Sequence, residues 1–370
     1  MGKKKLIQLE IEEQEEIPKE FKENQEEKVE DEDIQNIVDQ AEQDDSDSRK
    51  SASDIIFGII KKLHIGADIS IISLPGACVL PKSLIQLMSE QFTAHFDLLL
   101  QANDIKDEKK RLLQVYCYFG SILMEIKDCF KKPLNPILGE TYQGHLDIGA
   151  TRVDIFTENV SHHPPIFSIT VCCRGDVGIK VTSTIGLGCH FMGTHVKFGT
   201  QGDILVRFDR FDQTYSSATP NLALRLFRGF MEYVGQTSVT NDRDDYRIKS
   251  MFHAKPMFMG SYNYFESTVY RGKEKLHKIK GHWDKQLDIN SSFNSCDFTK
   301  LIDRHELTPT EIILPPHEGL LPTNSLLKQK VEEEQRKLAK QRLQRNESWK
   351  PIHYHQNDKG QWLLNSNNNN

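Results

Sequence analysis

The spacing of apolar residues changes along the chain from a helical period to a strand-like one. Three segments repeat their apolar positions every three or four residues, at 55–63, 84–99 and 112–126. This period is typical of amphipathic helices. We expect the first helix directly after possible N-caps at 51–54, the second from Pro81 to about residue 99, and the third from about Asp107 to Phe130.

From residue 141 to about residue 284 the apolar residues come in short runs, separated by glycine, asparagine or aspartate. Many short strands punctuated by turns predict an antiparallel barrel or sandwich, with one helical interruption expected near 222–234. After residue 300 the chain is punctuated by proline, and a charged helix is then expected to run to about Arg345. The predicted strands are 151–157, 166–173, 177–184, 194–198, 203–209, 245–251, 261–270 and 275–283.

Charge is distributed unevenly between the N-terminal segment and the rest of the chain. Residues 1–50 hold 8 Lys and Arg against 18 Asp and Glu, a net charge of −10, and the whole chain holds 47 against 53. Residues 51–370 therefore hold 39 against 35, a net charge of +4. The acidic segment 1–50 is predicted to be disordered because it cannot bury enough apolar area, and so is the Asn-rich segment 363–370. The mildly basic remainder suits transient contact with anionic membranes and is too dispersed to favour nucleic acid.

The same composition excludes several classes of protein. No apolar run approaches the roughly 20 residues that span a bilayer, and no signal-peptide core is present at the N-terminus. The seven cysteines include no C-x-x-C, which excludes a zinc ribbon, and their odd number argues against a disulfide framework. Free thiols fit a reducing cytosol, so we expect a cytoplasmic protein that is peripheral and transient at membranes.

The segment Glu158 to Pro165 reads E-N-V-S-H-H-P-P and is the most unusual stretch of the sequence. Its two prolines fix φ and donate no backbone hydrogen bond, and the residue before a proline is pushed toward extended geometry. His162 and His163 are therefore expected on a stiff, non-helical bend. Two such imidazoles can bind a metal, move protons or hold an anion such as phosphate. The alternative is a stiff loop with two solvated histidines.

This octapeptide resembles the E-Q-V-S-H-H-P-P fingerprint of the oxysterol-binding protein family, with Asn159 where glutamine is usual. The segment 131–140 is similar to the family's K-P-x-N-P-x-L-G-E block, and 281–284 is similar to its G-x-W motif. The resemblance covers roughly residues 51–362. It implies a mainly β fold with α, namely an incomplete antiparallel β-barrel enclosing a lipid tunnel. An N-terminal lid at about 51–78, helices, and a C-terminal helical subdomain are expected with it.

The resemblance also implies a site for the headgroup of phosphatidylinositol 4-phosphate, built from three separated segments. Arginine binds phosphate bidentately and lysine binds it as a point charge. Lys328, Glu332 and Arg336 are spaced i, i+4, i+8, which places them on one face of a helix. Glu332 can pair there with both cations. Taken alone, that triple reads as an ordinary exposed helix face. The implied residues are Lys132, Asn135, His162, His163, Lys328, Glu332 and Arg336.

The first apolar helix has two interpretations, an ordinary core helix or the lid that the resemblance implies. The implied function is exchange of phosphatidylinositol 4-phosphate for a second lipid between membranes by a monomer without cofactor. A sterol is the default second lipid and phosphatidylserine is its rival. A lipid-regulated adaptor without transfer remains an alternative. A histidine-dependent phosphodiesterase or metal hydrolase is disfavoured because two histidines are too few for a catalytic zinc, so neither metal nor catalytic residues are expected. The predicted lid residues are Ile55, Ile56, Phe57, Ile59 and Ile60.

Overall fold

The computed structural model describes most of the chain between residues 52 and 365. The described ranges are 52–61, 63–69, 74, 78–123, 130–162, 164–173, 175–256, 259–285, 287–289, 308–313, 325–347 and 349–365. The predictions for the acidic segment 1–50, for His163 and for residues 366–370 lie outside them.

Four helices precede the sheet, and they correct two of the sequence predictions. Pro81 does not open a helix but lies in strand β1, because proline fits an extended backbone, and Ser83 caps the next helix by accepting from the backbone N–H of Gln86 at 3.3 Å. The second predicted helix is two helices, and the third ends at Ser121. The period missed the break because both halves bury their apolar face in the same core. The elements are α1 (Ala52–Ile60), β1 (Val79–Ser83), α2 (Leu84–Thr93), α3 (Asp97–Asp104) and α4 (Glu108–Ser121).

Fourteen strands of the described chain form one large sheet that curls around the helices without closing. Along its main path the strands follow the order β15-β14-β13-β12-β11-β10-β7-β6-β5-β4-β3-β16, and β8 and β9 bridge β6 to β11. The expected incomplete antiparallel barrel is thereby confirmed. The strands are β3 (Thr141–Ile148), β4 (Thr151–His162), β5 (Pro165–Cys173), β6 (Ile179–Phe191), β7 (His195–Gln201), β8 (Asp203–Phe208), β9 (Gln213–Ala218), β10 (Asn221–Arg225), β11 (Phe230–Asn241), β12 (Tyr246–Phe252), β13 (Tyr264–Arg271), β14 (Glu274–His282), β15 (Leu287–Ile289) and β16 (Thr308–Ile313).

The predicted helical interruption near 222–234 is wrong, since this segment forms the β10–β11 hairpin. The two strands pair from Asn221 with Val234 to Arg225 with Phe230. Ala223 and Leu224 are both buried, so both faces of β10 are covered and the period of two is lost. Strand β16 was missed among the prolines, and a bulge near Pro309 lets it pair with β3.

Helices α2 to α4 fill the interior of the curled sheet and form the central core. Among the largest fully buried side chains are Tyr118 and Phe96 from the helices and Phe167 from the sheet. Arg111 is buried as well, and its guanidinium donates to Gln213 Oε1 at 2.8 Å, which ties α4 to β9. The helices therefore act as a plug, and only part of the interior is left for a ligand.

The C-terminal part adds one long helix and one small hairpin to the barrel. They are helix α5 (Ser325–Gln344) and the hairpin of β17 (Tyr354–Gln356) and β18 (Trp362–Leu364). The remaining strand, β2 (Lys132–Leu134), lies earlier in the chain and pairs with β1. The charged helix agrees with the sequence prediction. The last strand extends two residues past the predicted domain end at 362, because Leu364 is buried against Val160 and Tyr354.

Candidate ligand-binding site

The loop after β2 brings two of the predicted site residues together at the edge of the sheet. Lys132 lies in β2, and its Nζ donates to Asn135 Oδ1 at 3.2 Å. Asn135 is exposed and Lys132 is half-buried. A cation and an amide are thus presented side by side at the surface.

This loop is closed on itself at its far end by Glu140. The backbone N–H of Ile137 donates to Glu140 Oε2 at 3.0 Å, and the N–H of Glu140 donates to the Ile137 carbonyl at 3.0 Å. Gly139 lies between them with φ +81°, a conformation that favours glycine. Burial raises the pKa of the Glu140 carboxyl to about 7. The tight turn therefore contains a carboxyl group that titrates near neutrality.

The end of β4 holds this loop from behind through Asn159. Its Nδ2 donates to the carbonyls of Pro136 at 3.0 Å and Ile137 at 2.9 Å, and its side chain is fully buried. The same strand ends at His162, which pairs with Pro165 at the start of β5. Asn159 therefore links the loop that carries Lys132 and Asn135 to β4, three residues before His162.

A third segment reaches this edge from the C-terminus. The Glu158 carboxylate accepts from the backbone N–H groups of Ile352 and His353, each at 2.8 Å. Burial raises the pKa of Glu158, and these backbone hydrogen bonds oppose the shift. Trp349 packs on Gly139 so closely that an added Cβ would lie 2.2 Å from its ring. The segment 349–353 is thus fixed to both arms of the site.

Helix α5 is joined to this assembly at its C-terminal end. The Arg342 guanidinium lies 5.8 Å from the centre of the Trp349 ring. Arg336 is exposed on the same helix, six residues or roughly 9 Å earlier along the axis. The side chains of Lys328 and Glu332 lie outside the described part, so the pairing of Glu332 with its two cations stays a prediction.

Two titratable groups on the neighbouring strands have pKa values shifted by burial. Burial raises the pKa of Cys189 on β6 to about 12, against an opposing contribution from Lys132. The pKa of His195 on β7 is lowered to about 4 by burial, with Arg225 and Lys197 contributing in the same direction. The Lys132 ammonium thus lies close enough to β6 to act on Cys189, whereas the Arg225 guanidinium is paired with Glu232 at 2.6 Å.

Helix α1 covers the strands beside the site with its apolar face. Ile55, Ile56, Ile59 and Ile60 are buried, and they form a cluster with residues of β6, β7 and the β10 end that is separate from the central core. The Phe57 ring lies 6.0 Å from that of Phe130 and 6.2 Å from that of Phe227. All five predicted lid residues thus contact the barrel through one separable patch.

Sequence reasoning did not find the residues that hold the arms together. Asn159 and Glu158 were read only as letters of a motif, and Gly139 and Trp349 were not singled out. A glycine followed by an acid before a strand was the available signal for the tight turn. Nothing in the sequence pointed to Trp349.

The described residues contain no group of three or more His, Cys, Asp or Glu that could hold a metal ion. Among them, no helix is long and apolar enough to cross a membrane.

The described structure is an incomplete antiparallel barrel with helices packed in its interior. Lys132 and Asn135 contact each other on one of its loops, and α1 packs on β6, β7 and the end of β10. A family model described as Oxysterol-binding protein matches residues 56–312. The chain is 40% identical over 350 residues to Oxysterol-binding protein 1 of Dictyostelium discoideum, an alignment that covers 87% of this chain and 88% of that relative. The chain belongs to the oxysterol-binding protein family.

Solved structures with the same fold agree with this assignment. The Osh1 ORD domain in complex with cholesterol superposes with a TM-score of 0.65 at 21% identity, covering 86% of this chain and 88% of that chain. The Osh3 ORD in complex with PI(4)P from Saccharomyces cerevisiae gives a TM-score of 0.60 at 20% identity, covering 81% and 87%. At this identity the likeness shows the fold.

Proposed function

We propose that this protein is a lipid-transfer protein that binds phosphatidylinositol 4-phosphate and exchanges it for a second lipid, a sterol, between membranes. The observation that supports the proposal is the contact between Lys132 and Asn135 in a loop that Asn159 holds against β4, the strand that ends at His162. We name Lys132, Asn135 and His162, together with the predicted His163, Lys328, Glu332 and Arg336, the headgroup site. The solved relatives with cholesterol and with PI(4)P support both ligands.

The chemistry of the headgroup site suits a phosphate monoester. Lys132 supplies an ammonium with three donors, and an imidazole beside a dianionic phosphate becomes protonated and donates from both nitrogens. A phosphate monoester carries up to two negative charges and three terminal oxygens that can accept hydrogen bonds. Phosphatidylserine offers a phosphodiester and a zwitterionic serine instead, so the donors of the headgroup site suit a phosphate monoester better.

The apolar part of a lipid must enter below the lid. Between α4 and the sheet lies a cavity of about 40 Å³ with mainly apolar walls. Ligand sites commonly measure roughly 300–1,000 Å³, so the walls must part for a lipid to load. Helix α1 does not line this cavity, and it covers β6, β7 and the end of β10 instead, so we expect it to move as a lid over those strands. A lid that packs through its own cluster can move in this way without disrupting the central core.

A transfer assay between liposomes tests the proposal and separates it from its alternatives. Donor liposomes carry phosphatidylinositol 4-phosphate and acceptor liposomes carry a fluorescent sterol, and both movements are followed with time. We expect transfer of each lipid to be faster when the other is present. Lys132→Ala should slow phosphoinositide transfer, while Lys110→Ala, at an exposed lysine of α4 remote from the site, should not.

Other outcomes of this assay would point to the competing functions. Extraction of phosphoinositide without delivery would indicate an adaptor regulated by lipid. Accelerated movement of phosphatidylserine and not of sterol would change the second lipid. Release of inorganic phosphate or of the inositol headgroup from the donor liposomes would reveal an enzyme and overturn the proposal.

A further inference from the structure

Two consecutive residues of β4 hold the two arms of the headgroup site from opposite sides. Successive side chains of a strand point to opposite faces, so Glu158 and Asn159 reach different segments. Asn159 donates two hydrogen bonds to the loop that follows Lys132, and Glu158 accepts two from the segment that follows α5. Both side chains are fully buried, with 0% exposure.

Further hydrogen bonds to the backbone of β4 join the same two segments to this strand. The N–H of Asn159 donates to the Glu140 carbonyl at 2.9 Å, and the N–H of Gly139 donates to the Asn159 carbonyl at 2.9 Å. On the other side, the Tyr354 hydroxyl donates to the carbonyl of Phe156 at 2.8 Å. Each arm is therefore fixed to β4 at more than one point.

One polar atom of the Asn159 amide is buried without a hydrogen-bond partner among the described residues. Asn159 Oδ1 is buried and finds no hydrogen-bond donor within the part of the chain that the structure describes. An amide with an unsatisfied oxygen is an unfavourable choice for a residue that only fills space. Its retention here is explained by the two donors of the same amide, which fix the carbonyls of the headgroup loop.

We propose that Glu158 and Asn159 are positioning residues of the headgroup site. This inference rests on the proposed function. Neither side chain is exposed to a ligand, and each acts through the segment that it holds: Asn159 fixes the loop that carries Lys132 and Asn135, and Glu158 fixes the C-terminal segment that anchors α5. Together they hold the loop that carries Lys132 and the segment that follows α5 on one strand, a few residues before His162.

The test compares two variants at Asn159 in the full-length protein. Asn159→Ala removes both donors, and we expect phosphatidylinositol 4-phosphate affinity to fall about tenfold to a hundredfold, because two carbonyls lose their fixed position. Asn159→Gln keeps the amide and should retain most of the affinity. Sterol extraction should be nearly unchanged in both variants, since the apolar walls are not held by this amide.

Salt dependence distinguishes a positioning residue from a contact residue. Lys132→Ala removes a charge that faces the phosphate, so it should reduce the dependence of affinity on ionic strength. Asn159→Ala should lower the affinity and leave that dependence as in the wild type. Glu158→Gln, which can still accept one of the two N–H groups, should show the same pattern with a smaller loss.

Each remaining outcome has a definite meaning. If the wild type does not extract phosphatidylinositol 4-phosphate, the proposed function fails before the inference is tested. If the wild type binds and Asn159→Ala binds equally well, positioning by Asn159 is refuted while the function stands. If Asn159→Ala lowers the melting temperature and loses both lipids equally, the residue is structural and the inference is also refuted.

Discussion

Replacing Ile59 with alanine should weaken the lid without weakening the barrel. Ile59 is 3% exposed, and it packs in the cluster between α1 and the strands, apart from the central core. Truncation of a buried isoleucine to alanine destabilises by about 2–5 kcal/mol. Ile59 is solvated when the lid is open, so the whole loss falls on the closed state. The opening equilibrium should rise at least about 30-fold, taking the lower figure.

Release of a preloaded fluorescent sterol measures this effect directly. Ile59→Ala should release the sterol at least about 30 times faster than the wild type, since opening precedes escape. Hydrogen exchange should accelerate for the amides of α1 and stay unchanged for those of β4 and β5. The matched control is Ile65→Ala, at an isoleucine that is 36% exposed, and it should leave both measurements unchanged.

One result would refute the reasoning about the lid. If Ile59→Ala lowers the melting temperature and speeds exchange in β4 and β5 as much as in α1, the helix belongs to the cooperative core. Sterol release as slow as in the wild type would also show that α1 does not gate the interior.

Three further predictions concern the headgroup site. Replacing His162 and His163 together with alanine should lower phosphatidylinositol 4-phosphate affinity on the order of a hundredfold, because charge-assisted hydrogen bonds contribute about 1.5–3 kcal/mol each. Sterol extraction should survive this change. Unchanged phosphoinositide extraction would refute the site. Gly139→Ala should lower the free energy of unfolding by about 1–3 kcal/mol more than Gly149→Ala does. Both glycines have a positive φ, but only Gly139 faces the Trp349 ring. Equal losses of unfolding free energy in chemical denaturation would refute this packing. Burial raises the pKa of Glu140 to about 7 from 4.5, so the folded state binds more protons than the unfolded state between these two values. The free energy of unfolding should therefore fall as pH rises through this window. Glu140→Gln should abolish that fall, and an unaltered pH profile in this variant would contradict the prediction.

The sequence predicted well those elements whose two faces differ. Most of the strands show a clean period because one side meets solvent, while α5 was predicted from its charge and its capping residue. Strand β10 was misread because Ala223 and Leu224 are buried on both of its faces, which removes the alternation. The long helix predicted from Pro81 failed for a related reason, since α2 and α3 bury their apolar sides in one core and the stripe continues across the break.

The site was predictable only as far as a local motif reaches. The resemblance named Lys132 and Asn135, which the structure joins by a hydrogen bond, and His162, which lies on β4 three residues after Asn159. Their supports depend on contacts between residues far apart in sequence, such as Glu158 with His353 and Gly139 with Trp349. No local pattern encodes such pairs, because each partner alone looks like an ordinary loop or strand residue.

The residues after α1 are held on the end of β6 by an isolated bridge between Asp68 and His190 and by three backbone hydrogen bonds, and this limits how the proposed lid could open. Gly66 N–H donates to the Phe191 carbonyl at 2.6 Å, Phe191 N–H donates to the Ala67 carbonyl at 3.0 Å, and Ile69 N–H donates to the Cys189 carbonyl at 2.8 Å. The helix ends at Ile60, so only a few residues separate it from this anchored point. If α1 opens as we propose, it remains tethered at an effective concentration in the millimolar range. Reclosure would then be a first-order step whose rate does not depend on protein concentration, and any surface that held α1 open would compete with strands that never diffuse away.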